Sequence, residues 1–521
     1  VSATGLGRTI GATLIGVDGH RIDVETLVSA GLVAWTVVGL PDAAVLEARD
    51  RVRAALLASG HAPPQARVTV NLSPASLPKA GSGLDLALAV GVLAATGAVP
   101  ESVRAVAHVG ELGLDGRLRL VRGVLPLVLG LARLGVRSVV VPAVCAAEAR
   151  LVPGVRVIGA RSLSDVVAHH RGESVPVAPG ADSGPDGPGR DGPVGPVGPG
   201  GSAVGSGPGD LADVVGQPLG RRVVEVAAAG GHHLLLQGPP GTGKTMLAAR
   251  VPGLLPDLDD EDAVTVTAIH SVCGTLAAPG LLRRPPVEDP HHTASVAAVV
   301  GGGAGLPRPG AASRAHAGVL LLDEAPEFSR PVIDALRQPL ETGSVVIHRS
   351  RGTARLPARF MLVLTANPCP CAQPAEGCTC RPVERVRYGR RLSGPVLDRI
   401  DLRVELPPVG AGHWAAGDGE PSAAVAARVL AARGAARERW TAAGYRLTSE
   451  VPGPLLRSPR YRPQAPALAR LTRAVDAGVL SGRGADRCLR VAWSLADLAG
   501  RCVPGRAEVD EALDLRTRGA A

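Results

Sequence analysis

The octapeptide Gly238-Pro239-Pro240-Gly241-Thr242-Gly243-Lys244-Thr245 constrains this chain more than any other feature. An apolar run of strand length, HLLLQ from His233 to Gln237, precedes it, and the helix-forming MLAAR follows. Strand, glycine-rich turn and helix in that order make a phosphate-binding loop. The glycines let consecutive backbone N–H groups converge on phosphate oxygens, and the helix N-terminus adds positive potential. Lys244 then reaches the β and γ phosphates and Thr245 can ligate Mg²⁺, so ATP and Mg²⁺ are the expected ligands. Such a unit belongs in a parallel α/β sheet whose loops gather at the C-terminal edge of the strands.

The rest of the chain supplies matching acids. Residues 319–322 are a second buried apolar run and end in Asp323 and Glu324. Asp323 is expected to hold Mg²⁺ through water, and Glu324 to polarise the attacking water as general base. A third strand, residues 360–366, stops at Asn367, a neutral amide placed to orient that water; an Asn there is also an ordinary turn former. Arg399, in RRLSGPVLDRID, follows a helical turn too far along the chain to belong to the phosphate loop. It suits a finger inserted into a neighbouring subunit's site.

At 521 residues the chain has room for about three domains. Residues 172–209, dominated by Gly, Pro, Ser and Asp, read as a linker between two folded parts. Upstream, in 1–171, strands are expected at 68–72, 105–109 and 139–141, with an apolar helix over 84–93. Downstream, 210–409 reads as the nucleotide-binding core. From about 410 to 521 the strands stop and Ala- and Arg-rich helices take over, at 422–440 and 481–499, the latter with Cys488, Ala492, Leu495 and Ala499 on one face.

Charge and composition narrow the partners. Basic residues exceed acidic ones by 56 to 47, which favours a polyanion. Lysine occurs only at Lys79 and Lys244, so a lysine here marks chemistry that arginine cannot do. With 2 Phe, 4 Trp and 3 Tyr there are too few aromatics for rows of stacked bases, and nucleic acid would be held through its phosphates. The longest apolar run, 86–99, is too short to span a bilayer, so no membrane association is expected. No secretory signal opens the sequence, and a cytoplasmic location is expected.

Two local patterns carry further chemistry. Val345 and Ile347, a turn at RSRG, then Ala354 and Leu356 read as a β-hairpin with Arg349 and Arg351 at its tip. Cys369, Cys371, Cys378 and Cys380 form C-x-C-x₆-C-x-C directly after Asn367. Four thiolates can close a zinc site, although C-x-C is tighter than the usual spacing, and free or redox-active thiols are the alternative. Cys145, Cys273, Cys488 and Cys502 are scattered and expected in the core.

The runs GHHLLLQGPPGTGKTMLAAR, PHHTAS, GVLLLDEAPEFSRPVIDALRQPLETG, ARFMLVLTANPCPC and LSGPVLDRIDLRVELPPV resemble the ComM/YifB group of magnesium-chelatase-like AAA+ ATPases. VGLPDAAVLEARDRVRAAL and VTVNLSPASLPKAGSGLDLALAVGVLAATG extend the resemblance upstream. It implies a homo-hexameric ring with Asn367 as sensor 1, Arg399 as arginine finger and Arg483 as sensor 2. Helical spacing alone does not separate Arg483 from Arg487 and Arg490, which share its face as a basic stripe. The hairpin would project into the pore, where Arg349 and Arg351 meet DNA phosphates; an exposed hairpin with solvated charges is the plainer reading. The C-terminal part would be a helical lid. Residues 1–171 resemble the Lon protease domain, with Gly83 standing at the nucleophile position, Ser82 adjacent to it, and Leu125 at the lysine position. A Ser–Lys dyad is thereby lost and proteolysis is not expected. The resemblance implies a DNA helicase or translocase promoting branch migration during recombination of incoming DNA in natural transformation, with recombination proteins as partners. The alternative is a chelatase-type, ATP-driven remodelling subunit acting on a protein partner.

Overall fold

The computed structural model describes residues 5–173, 209–276, 280–303, 307–349, 352–373, 377–408 and 419–517. Most of the expected linker, the first residues of the C-terminal part and Arg351 lie outside them.

The N-terminal part is built on a seven-stranded mixed sheet. Its order is Ala34–Val38, Arg67–Ser73, Asp18–Ser29, Gly5–Ile15, Ala107–His108, Ser138–Pro142, Arg156–Ala160. The long antiparallel hairpin of Gly5–Ile15 and Asp18–Ser29 was not expected from the sequence. Its strand Gly5–Ile15 carries glycines because a helix lies on it: a Cβ at Gly7 would stand 2.2 Å from the carbonyl oxygen of Gly91. That helix spans Asp85–Ala95, close to the expected 84–93, whereas the expected strand 105–109 shrinks to Ala107–His108 behind a 3₁₀ turn at Glu101–Ala105. Ile22, Val24 and Val28 alternate onto one face with Val45, Val52, Leu86 and Leu88 of the helices Ala43–Ala58 and Asp85–Ala95. Ile10 and Ala12 face the other way, against Val124, Leu127, Val128 and Leu131 of helix Val124–Arg133.

The second sheet has five strands, all parallel, in the order Val287–Glu288, Val319–Leu322, Met361–Ala366, Leu234–Gln237, Leu402–Glu405. Its inner strands are short and mostly apolar because both faces are covered, Thr365 and Gln237 being the polar exceptions near their C-terminal ends. One face shares a core with the C-terminal helices Ser422–Trp440, Ala465–Asp476, Gly482–Leu498 and Arg506–Thr517, so this helical part is not packed separately. Trp440 stacks edge-on to Trp493 at 5.5 Å between centroids, with Tyr461 beside both. Cys488, Ala492 and Leu495 are buried as expected, but Ala499 lies past the helix end and is exposed. Of the scattered cysteines, Cys145 and Cys488 are buried, Cys273 is half-buried and Cys502 is exposed, which corrects the core expectation for the last.

The two parts meet along helix Asp260–Cys273. The backbone N–H of Gly123 donates to the Ser271 carbonyl at 3.2 Å, and the Ser271 hydroxyl donates to Glu148, which also accepts the N–H of Leu125 at 2.9 Å. Ala268 joins the core beneath helix Val124–Arg133. At the other end of the helix, Asp262 receives both Nη2 contacts of Arg359 (2.7 and 2.8 Å), and Arg446 pairs with Asp259 at 3.3 Å. Among the described residues no helix is long and apolar enough to cross a membrane.

Candidate active site

Strand Leu234–Gln237 runs between two parallel neighbours and delivers Gly238 beside Ala366, whose carbonyl accepts its N–H at 3.2 Å. Gly241 and Gly243 have φ of +78° and +81°, a left-handed backbone that side chains disfavour, and Gly243 starts helix Lys244–Arg250. The Lys244 ammonium is buried and donates to the carbonyls of Gly238 (2.7 Å) and Pro239 (2.9 Å). Burial lowers its pKa, while Asp323 and Glu324 oppose that shift. The Thr242 hydroxyl closes the loop on the Pro239 carbonyl at 2.9 Å. The amine thus rests on loop carbonyls at the place where phosphate oxygens would give it stronger partners.

Strand Val319–Leu322 places Asp323 and Glu324 at the same sheet edge. The Thr245 hydroxyl donates to Asp323 Oδ1 at 3.0 Å, so a hydroxyl and a carboxylate oxygen, the hard donors Mg²⁺ takes, stand side by side. Glu324 sits in the left-handed region, φ +51°. Sequence reasoning missed what holds it there. Thr365, buried in the middle strand, donates to Asp323 Oδ1 at 2.5 Å and accepts the Glu324 N–H at 2.9 Å. Glu327 donates its N–H to the Glu324 carbonyl at 2.7 Å, and its side chain accepts from Arg391 at 3.1 Å with Tyr388 beside it. Asp289, next after the edge strand Val287–Glu288, was missed too; burial and Asp323 push its carboxyl up. Asn367 follows Ala366 directly and is half-buried beside the loop.

Arg399 and Arg483 stand elsewhere. Both line a cavity of about 820 Å³ whose walls include His233, Gly318 and Met361, at the N-terminal ends of the strands and so at the opposite edge from Lys244. Arg399 pairs with Glu341, its Nε is buried without an acceptor, and burial, then Arg487, Arg337 and Arg483, lower its pKa. The three arginines that helical spacing left together are separated by their partners. Arg487 donates to the fully buried Asp401 at 2.7 Å and Arg490 to the Val451 carbonyl at 2.7 Å, so neither belongs to a solvated stripe. Burial opposes charge on Asp401, yet Arg487 and His232 beside it hold its carboxyl well below the usual range. Arg483 is exposed, with no side-chain hydrogen bond or ion pair among the described residues.

The expected hairpin is present. Ser344–Arg349 pairs antiparallel with Gly352–Pro357, with Arg349 opposite Gly352. Val345, Ala354 and Leu356 are buried at its base and Arg349 is exposed at its end. Its base rests on the N-terminal part: a Cβ at Gly16 would meet Leu356 at 3.1 Å and Ala354 at 3.3 Å. The sulfurs of Cys369, Cys371, Cys378 and Cys380 all lie within 4.8 Å of one another, three of the separations being 3.3, 3.5 and 3.6 Å. Tetrahedral Zn–S bonds of about 2.3 Å put sulfurs roughly 3.8 Å apart, so the donor set fits zinc with little movement. A backbone N–H at Gln373 pulls the Cys371 thiol down to about 6, towards the ligating thiolate.

In the N-terminal part Lys79 is completely buried and donates to the Pro74 carbonyl, and burial lowers its pKa. Ser82 donates to Glu111. Leu125 is buried among apolar neighbours.

The family described as magnesium chelatase, subunit ChlI, matches residues 210–413. Subunit ChlI of Mg-chelatase matches 24–144, and the ChlI C-terminal family matches 419–516. An uncharacterized protein of Mycobacterium tuberculosis is 50% identical over 521 residues, 99% of each chain. YifB of Escherichia coli is 39% identical over 506 residues, covering 96% of this chain and 95% of its own. The competence protein ComM of Haemophilus influenzae is 39% identical over 511 residues, 96% of each. With the phosphate loop, the acid pair and the five parallel strands already in place, this near full-length likeness means that the chain belongs to the ComM/YifB family of magnesium-chelatase-like AAA+ ATPases.

Proposed function

We propose that the chain is an ATP-hydrolysing motor that assembles as a homo-hexameric ring and moves on DNA as a helicase or translocase. The observation that carries this reading is the opposition of two edges of one sheet. Lys244, Thr245, Asp323, Glu324 and Asn367 gather at one edge, and Arg399 and Arg483 stand at the other. A single copy therefore holds ATP without the second cation that phosphoryl transfer needs, and carries two cations for the site of the next copy. Packed edge to edge, each copy would complete its neighbour.

In that ring the glycine loop and Lys244 hold the phosphates. Thr245 and Asp323 would hold Mg²⁺, which would supply neutralisation of phosphate charge. Glu324 takes the proton of a water that Asn367 orients towards the γ-phosphorus, and the neighbour's Arg399 and Arg483 stabilise the charge on the transferred group.

DNA enters the reading through the likeness to a protein named for competence, the excess of basic residues and the arginine-tipped hairpin. Branch migration during natural transformation, in the cytoplasm with recombination proteins, is the role this fits. The thiol cage is proposed as a structural zinc site. The N-terminal part is read as a non-proteolytic support, since its lone lysine is buried on a carbonyl and Leu125 fills the other dyad position.

Titration with forked DNA tests the reading: binding should be salt-dependent and should stimulate ATP turnover. Arg349→Ala/Arg351→Ala should leave basal turnover alone and lower the salt slope by about 2 units. The chelatase names of the three matching families favour a second reading, a remodelling subunit acting on a protein partner. ATP turnover indifferent to DNA would replace the first reading with the second.

A further inference from the structure

Helix Pro382–Gly389 begins two residues beyond the thiol cage and buries one side chain, Tyr388. Arg381, Arg385, Arg387 and Arg390 are exposed along and around it, with Val383 and Val386 between them. Among the described residues none of these four guanidinium groups has an acidic partner. Glu384, the one acid of the helix, is occupied in accepting the Arg381 N–H at 2.8 Å. A helix of this length spans about 12 Å, over which one strand of a duplex presents three or four phosphates at roughly 3.4 Å intervals. Charge and spacing therefore match a polyanion. The loss of Arg487 and Arg490 to internal partners removes the competing basic stripe.

The buried side of this helix rests on the hydrolytic site. Tyr388 is buried with the Glu327 carboxylate beside its phenol, and Arg391 lies 5.6 Å from the Tyr388 ring centroid while donating to Glu327 (3.1 Å) and to the Pro326 carbonyl (3.2 Å). Glu327 in turn closes the turn on Glu324. Burial, then the carboxylates of Glu327 and Glu324, push the Tyr388 phenol well up, so it remains a donor. A load on the exposed face has a short route through Tyr388, Arg391 and Glu327 to the turn bearing Glu324.

We propose that the exposed face of helix Pro382–Gly389 docks the phosphate backbone of DNA, and that Tyr388 and Arg391 transmit its occupancy to the turn bearing Glu324. This rests on the reading of the chain as a DNA motor. It places a second contact at the sheet edge opposite the root of the Ser344–Pro357 hairpin, where DNA contact sets the hydrolysis rate. Tyr388 and Arg391 are positioning residues and touch neither ATP nor DNA.

Full-length protein, wild type and variants, is titrated with forked DNA at several salt concentrations while assembly mass and ATP turnover are followed. Arg385→Gln/Arg387→Gln/Arg390→Gln should keep the wild-type assembly and a basal turnover within about two-fold. It should lose DNA stimulation and show a salt slope shallower by up to about 3 units. Tyr388→Phe should bind DNA as the wild type does and lose the stimulation. A triple variant with the wild-type slope and stimulation overturns the surface, and one that no longer assembles overturns it in favour of a contact between copies. Stimulation retained by Tyr388→Phe overturns the route. A wild-type chain indifferent to DNA overturns the motor reading and this surface together, a result the variants alone cannot produce.

Discussion

Thr365 donates its hydroxyl to Asp323 at 2.5 Å and accepts the backbone N–H of Glu324 at 2.9 Å, so one side chain on the central strand fixes both members of the acid pair. The pair is thus set from beneath as well as from its own strand. Thr365→Val keeps the shape and removes both bonds. A hydrogen bond to a charged group contributes about 1.5–3 kcal/mol, so turnover should fall roughly 10- to 100-fold with ATP affinity nearly unchanged. Steady-state ATPase beside nucleotide binding measures the split; equal losses in both would contradict it.

Lys244→Ala should lose nucleotide binding, because the loop keeps its carbonyls and loses its one cation. Glu324→Gln should retain ATP and not turn it over, since the base is gone and the phosphate contacts remain. Retention of radiolabelled nucleotide on each variant separates the two, and tight trapping by Lys244→Ala would refute the assignment.

Arg399 stands at the far end of the strands from Lys244, and its proposed role is in a neighbour's site rather than its own. Arg399→Ala should bind ATP normally and turn over about 10³ to 10⁵ times more slowly. Mixing it with Glu324→Gln protein should restore part of the activity, because some interfaces then pair an intact base with an intact finger. Mixtures that stay as inactive as their components would show that the finger does not act between copies.

The thiol cage should carry about one zinc per chain. Cys378→Ser/Cys380→Ser should lose it. Metal analysis of protein purified without chelator decides, and a metal-free wild type carrying reactive thiols would favour the redox alternative.

Acid should destabilise the fold below neutrality for a local reason. The His233 ring accepts the Leu362 N–H at 3.0 Å and the His316 ring accepts the Arg359 N–H at 3.1 Å, so a proton added at Nδ1 removes each acceptor. Burial lowers the two pKa values, to about 4 and about 3. The unfolded chain takes these protons first, near pH 6.5. The stabilisation is therefore complete above about 6.5 and is lost as pH falls towards 4 and 3, at about 3 kcal/mol per unit for the two together in the steep part. Denaturant midpoints at pH 7 and pH 5 test this, and equal midpoints would refute it.

The gathering of Lys244, Thr245, Asp323 and Glu324 at one sheet edge was legible in the sequence because its determinants are local: glycines at left-handed positions, a lysine where the chain otherwise uses arginine, and acids directly after an apolar run. Thr365 was not, because a threonine in a strand is equally a β-branched filler, and its role exists only once residues 323 and 365 are neighbours. Arg487 and Arg490 were misread for a related reason. Helical spacing gives the face on which they lie, not the buried Asp401 and the Val451 carbonyl that face it. The first hairpin was not legible because Gly5, Gly7 and Gly11 are small to admit a helix about eighty residues away, a requirement that exists only in the fold. The cysteine cluster was legible as four thiols close in sequence, but the packing of the following helix through Tyr388 and Arg391 onto Glu327 is tertiary.

Helix Asp260–Cys273 is gripped at its start by Arg359 and Arg446 and at its end by Gly123 and Glu148. The two halves of the protein are therefore held by an interface and not merely by the peptide that joins them. A protease cut between residues 174 and 208 should sever the chain and leave the particle whole, eluting from a sizing column as before and separating only in denaturant. Evolution could lengthen, shorten or rewrite that joining segment at little cost, while a single charge placed at Ala268 would pull the halves apart.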